Sequence, residues 1–274
     1  MNSPLDSPLG RQAAWPHSHD PKQLFPIPRT QGRSTLALGS TLPFVGVDIW
    51  NAYELSWLDA RGKPRLAIAR FDIPADSPYL IESKSFKLYL GSFAGSRLPD
   101  AATVRALLEQ DLSAAAGAPI AVHLCEPDGF SQLQLEPLDG DCIDDLELDI
   151  DTYGPPRSEF LAADTGNRVS ETLVSHLLKS NCPVTGQPDW ASVQIRYTGP
   201  RLDRAGLLRY LVSFRDHTGF HEHCVERIFC DLTSHCQPET LTVYARYTRR
   251  GGLDINPWRS STPGTPPNPR LARQ

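Results

Sequence analysis

The 274-residue chain lacks any run near the roughly 18 apolar residues a membrane-spanning helix needs, and its opening MNSPLDSPLGRQ lacks the basic-then-apolar layout of a secretory signal. Both absences predict a cytoplasmic protein without a membrane partner. A basic excess is also missing: 27 Lys and Arg stand against 32 Asp and Glu, for a net charge of −5. That balance leaves no electrostatic footprint for a nucleic-acid backbone. The six cysteines at 125, 142, 182, 224, 230 and 236 contain no C-x-x-C pair, which argues against a zinc ribbon or a dithiol redox centre and predicts reduced thiols, most of them buried. No G-x-G-x-x-G sits in a βαβ alternation, so a Rossmann dinucleotide site is not expected.

What the chain does have is an ordinary globular composition, 40% apolar and 22% charged, with 25 prolines. Seven of these fall in 1–43 and five in 257–274. Proline disfavours regular elements, so both ends are expected to be extended or flexible, around a structured body of about 45–258.

Within that body, 47–58 and 64–73 are rich in strand formers and flank the turn sequence Asp59-Ala60-Arg61-Gly62, which predicts a β-hairpin. Residues 79–93 show near-helical spacing, and Asp100 can cap a helix that runs out at Gly117. Strands are expected at 119–125 and 144–153. The second half repeats the order: strands at 170–180 and 190–198, helices at 202–214 and 220–236, and an alternating strand at 239–248. Two ββααββ copies, separated near the Pro/Gly-rich 154–167, predict an α+β fold with antiparallel sheets and helices on one face.

Three clusters carry candidate chemistry. In SNCPVTGQPDW (180–190), Cys182 and Asp189 flank a Pro/Gly loop that can present a thiol and an acid to one point; the alternative is a loop cysteine and a turn aspartate. In FRDHTGFHEHC (214–224), His217, His221, His223 and Cys224 are metal-ligand types, but Gly219 interrupts the helix that would align them, and no metal site is expected. His221 and Glu222 in a first helical turn can instead face a ligand, or Glu222 can simply complement the helix dipole. In IESKSFKLY (81–89), Lys84 and Lys87 share a helical face suited to phosphate, with Glu82 able to accept from an amino group; an ordinary amphipathic start fits equally. Arg249-Arg250-Gly251-Gly252 is either a phosphate clamp or a basic turn.

Taken together, ESKSFKLY (82–89), SNCPVTGQPDW (180–190), FHEHCVERIF (220–229) and YTRRGGLDINPWRS (247–260) resemble the NADPH-dependent 7-cyano-7-deazaguanine reductases, the nitrile reductases of queuosine biosynthesis, in their long form. The resemblance spans about 43–260. It implies two tandem tunnelling-fold domains, 44–155 with the ESKSFKLY motif and 156–260 with the cysteine motif, between a proline-rich segment 1–43 and a flexible tail 261–274. It further implies a homodimer and a substrate pocket at a domain junction. By motif, Cys182 would be the nucleophile that forms a thioimide and Asp189 the proton donor. Ile81, Glu82, Ser83, His221 and Glu222 would bind the base, while Ser83, Lys84, Arg250 and Gly251 would contact NADPH. The competing expectations are a zinc-dependent purine or pterin hydrolase resembling GTP cyclohydrolase, using the 217–224 histidines and Cys224, and a catalytically silent purine-binding module.

Overall fold

In the computed structural model, residues 6–7, 15–36, 38 and 41–274 are described. The proline-rich start therefore lies partly outside the described residues. The chain folds as α+β and divides into two compact units. Unit 1 comprises the described residues up to Gln31 together with Asp48–Gln134 and Arg249–Asp254; unit 2 comprises Gly32–Val47, Leu135–Thr248 and Ile255–Gln274. Arg249–Asp254 packs with unit 1, where Tyr53 of the first hairpin donates its backbone N–H to the Gly252 carbonyl at 2.9 Å.

The first unit is built on the hairpin β2 (Val45–Leu58) and β3 (Pro64–Pro74), with β5 (Ala121–Cys125) antiparallel to β3. Inside the proline-rich start, β1 (Pro26–Pro28) pairs with β4 (Tyr79–Ile81), and α1 (Arg29–Arg33) follows. This corrects the expectation of an irregular start: a two-stranded pairing tolerates proline, and the buried Arg29 is tied down by Asp48 at 2.6 Å and by Ser77. Helix α2 (Ser83–Ser92) buries Phe86 and Tyr89, with Phe86 packed on Trp50 and Phe71. Helix α3 (Ala101–Ala116) is capped by Asp100 and ended by Gly117 at φ +71, and its stripe Val104, Leu108, Leu112 and Ala116 is fully buried.

In unit 2, β6 (Asp141–Cys142) pairs in parallel with β7 (Ala163–Asn181), and β8 (Pro188–Leu202), β9 (Thr240–Tyr247) and β10 (Leu253–Ser260) follow as antiparallel neighbours. Helices α4 (Arg204–Val212) and α5 (His221–Cys236) complete it. The expected strand at 144–153 does not form. Its five carboxylates keep the segment on the surface, and only 141–142 pairs. Strand β10 was not expected, since Pro257 stands within it.

The tail 261–274, expected to be flexible, is docked. Buried Arg246 needs acceptors, and Asn268 Oδ1 and Gln274 Oε1 supply them at 2.6 and 3.0 Å, while Leu271 packs with Leu138 and Val174. Its prolines stiffen an extended path and do not loosen it.

The two units share a packing device. In unit 1, Tyr89 donates to Asp111 at 2.7 Å, Ser92 Oγ donates to the Tyr89 carbonyl, and Phe93 meets Tyr89 edge-on at 5.3 Å. In unit 2, Tyr210, Asp231, Ser213 and Phe214 repeat every contact, again with 2.7 Å and 5.3 Å at the corresponding pairs. YLGSF and YLVSF thus lock the shorter helix of each pair to a 16-residue partner.

Candidate active site

Unit 2 brings Cys182 and Asp189 to one end of the β7–β8 hairpin. Ser180 is paired with Asp189 and Asn181 with Pro188, and the ladder continues where the Cys182 N–H donates to the Gln187 carbonyl at 2.9 Å. Cys182 lies two residues beyond Ser180, so alternation puts its side chain on the same face as Asp189. The loop closes with Gly186 donating to the Cys182 carbonyl at 3.0 Å. Gly186 sits at φ +67 with nothing near its missing Cβ, so this glycine answers to backbone conformation alone. Both side chains are buried, Cys182 at 4% and Asp189 at 5% exposure.

The loop 217–219 is pinned beside the thiol. Asn181 donates its N–H to the His217 carbonyl at 2.8 Å, and Gly219 donates back to the Asn181 carbonyl at 3.0 Å. Helix α5 starts immediately afterwards, so His221 and Glu222 occupy its first turn. His221 Nε2 stands 3.3 Å from Asp189 Oδ2, and its ring stacks on Tyr247 with centroids 3.9 Å apart. Glu222 is buried in that turn, where the unsatisfied N–H groups of the helix favour a negative charge.

Sequence reasoning missed Tyr247, the platform that fixes His221. Its inward position on an alternating strand was readable, but its ring partner was not. Burial drives the Tyr247 hydroxyl well above its ordinary pKa, with Cys224 and Asp189 adding to the effect, so it stays a neutral group beside the carboxylates. The same burial pushes the Cys224 thiol up to about 12.

Among the described residues, 214–224 brings no three metal-ligand atoms within 4.8 Å of one another. His217 packs edge-on against Phe214, His221 stacks on Tyr247, and His223 meets Phe220 edge-on.

The remaining expected residues lie together in unit 1. Ile81 ends β4 and is buried. Glu82 is the N-cap of α2, accepting from the Lys84 N–H at 2.6 Å and the Ser85 N–H at 2.8 Å. Burial pushes its carboxyl up, against the pull of those two amide donors. Its observed role is therefore that of a helix cap, with the Ser83 hydroxyl also donating to Oε1 at 3.5 Å. Ser83 and Lys84 open the same helix.

Arg250 and Leu253 close a tight turn, with Gly251 at φ +58 and Gly252 at φ +72. Positive φ at both central residues is what a type I′ turn requires. A Cβ on Gly251 would stand 3.4–3.6 Å from the Lys87 side chain, so the turn lies against α2. Arg249 covers the Tyr53 ring at 5.3 Å. The turn therefore meets one cation and one anion: Lys87 lies against Gly251, and the Glu54 carboxylate occupies the space a Cβ on Gly252 would take, its oxygens 2.7 Å from it.

Among the described residues, no helix is long and apolar enough to cross a membrane. A family model described as "Nitrile reductase, 7-cyano-7-deazaguanine-reductase N-term" matches residues 15–124, and one described as "QueF-like protein" matches 188–265. A protein of Bordetella bronchiseptica bearing the name NADPH-dependent 7-cyano-7-deazaguanine reductase is 61% identical over 270 residues, covering 98% of both chains. One of the same name from Burkholderia vietnamiensis is 58% identical over 273 residues, covering 99% of this chain and 100% of its own. Among solved structures, the apo form of the archaeosine synthase QueF-Like aligns with a TM-score of 0.30 and 17% identity over 41% of this chain and 99% of its own, a likeness that carries no argument. On the strength of near-complete coverage at about three residues in five identical, the chain belongs to the NADPH-dependent 7-cyano-7-deazaguanine reductases.

Proposed function

We propose that this protein reduces the nitrile of 7-cyano-7-deazaguanine to the primary amine of 7-aminomethyl-7-deazaguanine, as a step of queuosine formation. The observation that carries this reading is a buried thiol and a buried carboxylate on one face of a hairpin end, in a chain with such relatives. A nitrile carbon accepts hydride poorly. Addition of the Cys182 sulfur across the triple bond forms an S–C bond and leaves the nitrogen to take one proton, which splits a hard reduction into easier ones. Asp189 is the donor of that proton, and the proton lost by the thiol restores the balance. His221, stacked on Tyr247, holds Asp189 in position. Glu222 accepts two parallel hydrogen bonds from the ring N–H and exocyclic amine of the base.

The residues of unit 1 fit a phosphorylated dinucleotide. Arg250, Lys84 and Lys87 supply cationic donors, Ser83 a hydroxyl, and the exposed Gly251 backbone without a Cβ in the way. NADPH, when bound, supplies hydride, and nitrile-to-amine reduction consumes two. A role for Ile81, Glu82 and Ser83 in substrate contact rests on the motif match. In the same reading each unit is a tunnelling-fold module, the working form is a homodimer, and the enzyme acts in the cytoplasm on a free base without engaging nucleic acid.

Mass spectrometry of the protein mixed with 7-cyano-7-deazaguanine before any NADPH should show an added mass of one base on the Cys182 peptide. NADPH oxidation should then run at two per base, and a ratio of one would contradict amine formation. Asp189→Asn should lower kcat by on the order of 10²-fold or more, the usual contribution of a positioned acid; near-normal turnover would remove its role. Glu222→Gln should raise the dissociation constant of the base by about tenfold to 100-fold, as expected for losing charge-assisted hydrogen bonds. Unchanged binding by calorimetry would refute that grip.

A further inference from the structure

Beyond the reductase chemistry, we propose that Cys142, Asp144 and His176 of unit 2 form a zinc-class metal site. The placement follows from strand register. β6 runs parallel to β7 with Asp141 opposite Leu173 and Cys142 opposite Val174, and Ile143 donates its N–H to the Val174 carbonyl at 3.0 Å. The same register, carried two residues further, brings Asp144 to His176. There Asp144 Oδ2 accepts the His176 N–H at 2.8 Å and Oδ1 accepts from Ser175 Oγ at 2.6 Å. Cys142 ends β6 and Asp144 opens the turn that follows, and the two hydrogen bonds from Ser175 and His176 hold Asp144 against β7. His176 falls in the irregularity between Ser175 and Leu178, the kind of bulge that re-aims a side chain. One ligand atom from each of the three lies within 4.8 Å of the others, and among the described residues this is the one such group.

The site is held in place by its surroundings. Asp139 is fixed by Gln194 and Arg196, Asp141 by Arg204, and Leu138 packs with Val174 and Leu271, so the segment carrying Cys142 and Asp144 is anchored without a metal. The His176 ring is oriented through Nδ1, 2.8 Å from Ser192 Oγ, and Arg273 donates to both the Ser192 hydroxyl and the His176 carbonyl. An imidazole oriented through one nitrogen is the outer-shell arrangement that metal-binding histidines use. Cys142 is exposed, leaving its sulfur open to an incoming ion.

A thiolate, an imidazole and a carboxylate are the donor set of zinc; calcium and magnesium take oxygens. Three protein ligands leave a fourth position for water. Bound there, zinc staples the 139–144 segment to β7.

The test uses the full chain, stripped with chelator and titrated with Co²⁺ as a spectroscopic surrogate. One Co²⁺ per chain should bind with a thiolate-to-cobalt charge-transfer band in the near ultraviolet, and Zn²⁺ should displace it. Cys142→Ser should abolish the band. His176→Ala should weaken Zn²⁺ binding by about tenfold to 100-fold or more. Cys182→Ala should keep the band, and its loss there would move the metal to the other thiol and overturn the proposal. So would a band that survives Cys142→Ser, or the absence of saturable one-to-one binding. A measurement that needs no variant is alkylation of Cys142 by iodoacetamide, which Zn²⁺ should slow several-fold; an unchanged rate counts equally against the site.

Discussion

Cys182→Ala is expected to lose reductase turnover by on the order of 10⁴-fold or more and to form no mass adduct with the cyano-deazaguanine. The size of the effect follows from the absence of a substitute. Burial pushes the thiols of Cys224 and Cys230 up to about 12 and that of Cys236 to about 11, so all three stay protonated and poorly nucleophilic near neutral pH. Cys125 belongs to unit 1, and Cys142 lies at the β6 edge of unit 2. Cys182 differs in its setting: it sits on a loop closed by its own backbone hydrogen bonds, with Asp189 on the same face and the His217–Gly219 loop beside it. Alanine preserves that backbone, so circular dichroism should be unchanged while chemistry stops. Single-turnover assays together with intact-mass analysis read both consequences. A surviving adduct in the alanine variant would remove Cys182 from the mechanism, whereas retained turnover without any adduct would point to direct hydride addition and remove the covalent step itself.

How much of this was legible before folding depended on whether the determining interactions are local. Helix α3 could be read to the residue because its cap, Asp100, and its left-handed terminator, Gly117, are both local signals. The Cys182–Asp189 arrangement was equally local, since a short loop between two strands fixes which residues face each other. Strand β10 was hidden because Pro257 argues against a strand in isolation, while the tertiary environment buries all eight of its residues. The 144–153 segment misled in the opposite sense: its alternation is real, but its acidic residues keep it in water. Tyr247 beneath His221 and Asp144 beside His176 depend on pairings between distant segments, and no local pattern announces them. The docked tail was invisible for the same reason, because the need it meets belongs to Arg246 on β9.

The second large effect is on stability. Glu226→Ala should destabilise the protein by about 3–5 kcal/mol, the cost of leaving buried charges without their partner. Glu226 lies one turn beyond Glu222 on α5, with its side chain fully buried. Arg259, also fully buried, donates to Oε1 from Nε at 3.1 Å and from Nη2 at 2.9 Å. Arg33 donates to Oε2 from Nε at 2.9 Å and to Oε1 from Nη2 at 2.7 Å. Both guanidinium groups also lie over the Phe44 ring, whose edge packs on Phe229. Burial alone would raise the Glu226 carboxyl, but Arg259 and Arg33 outweigh it and hold the group down to about 2. A folded pKa below the ordinary carboxylate value means that this stabilisation is complete above about pH 4.5 and is lost as pH falls from there towards 2. The alanine variant should therefore be less stable near neutrality and should lose less further stability across that acid window than the unmodified chain. Because the same helix presents His221 and Glu222, its loosening should also weaken substrate binding. Urea unfolding at pH 7 and at pH 3 separates the two effects: a variant within about 1 kcal/mol of the parent at pH 7, or one with the same acid dependence, would show that the triad does not hold α5 in place.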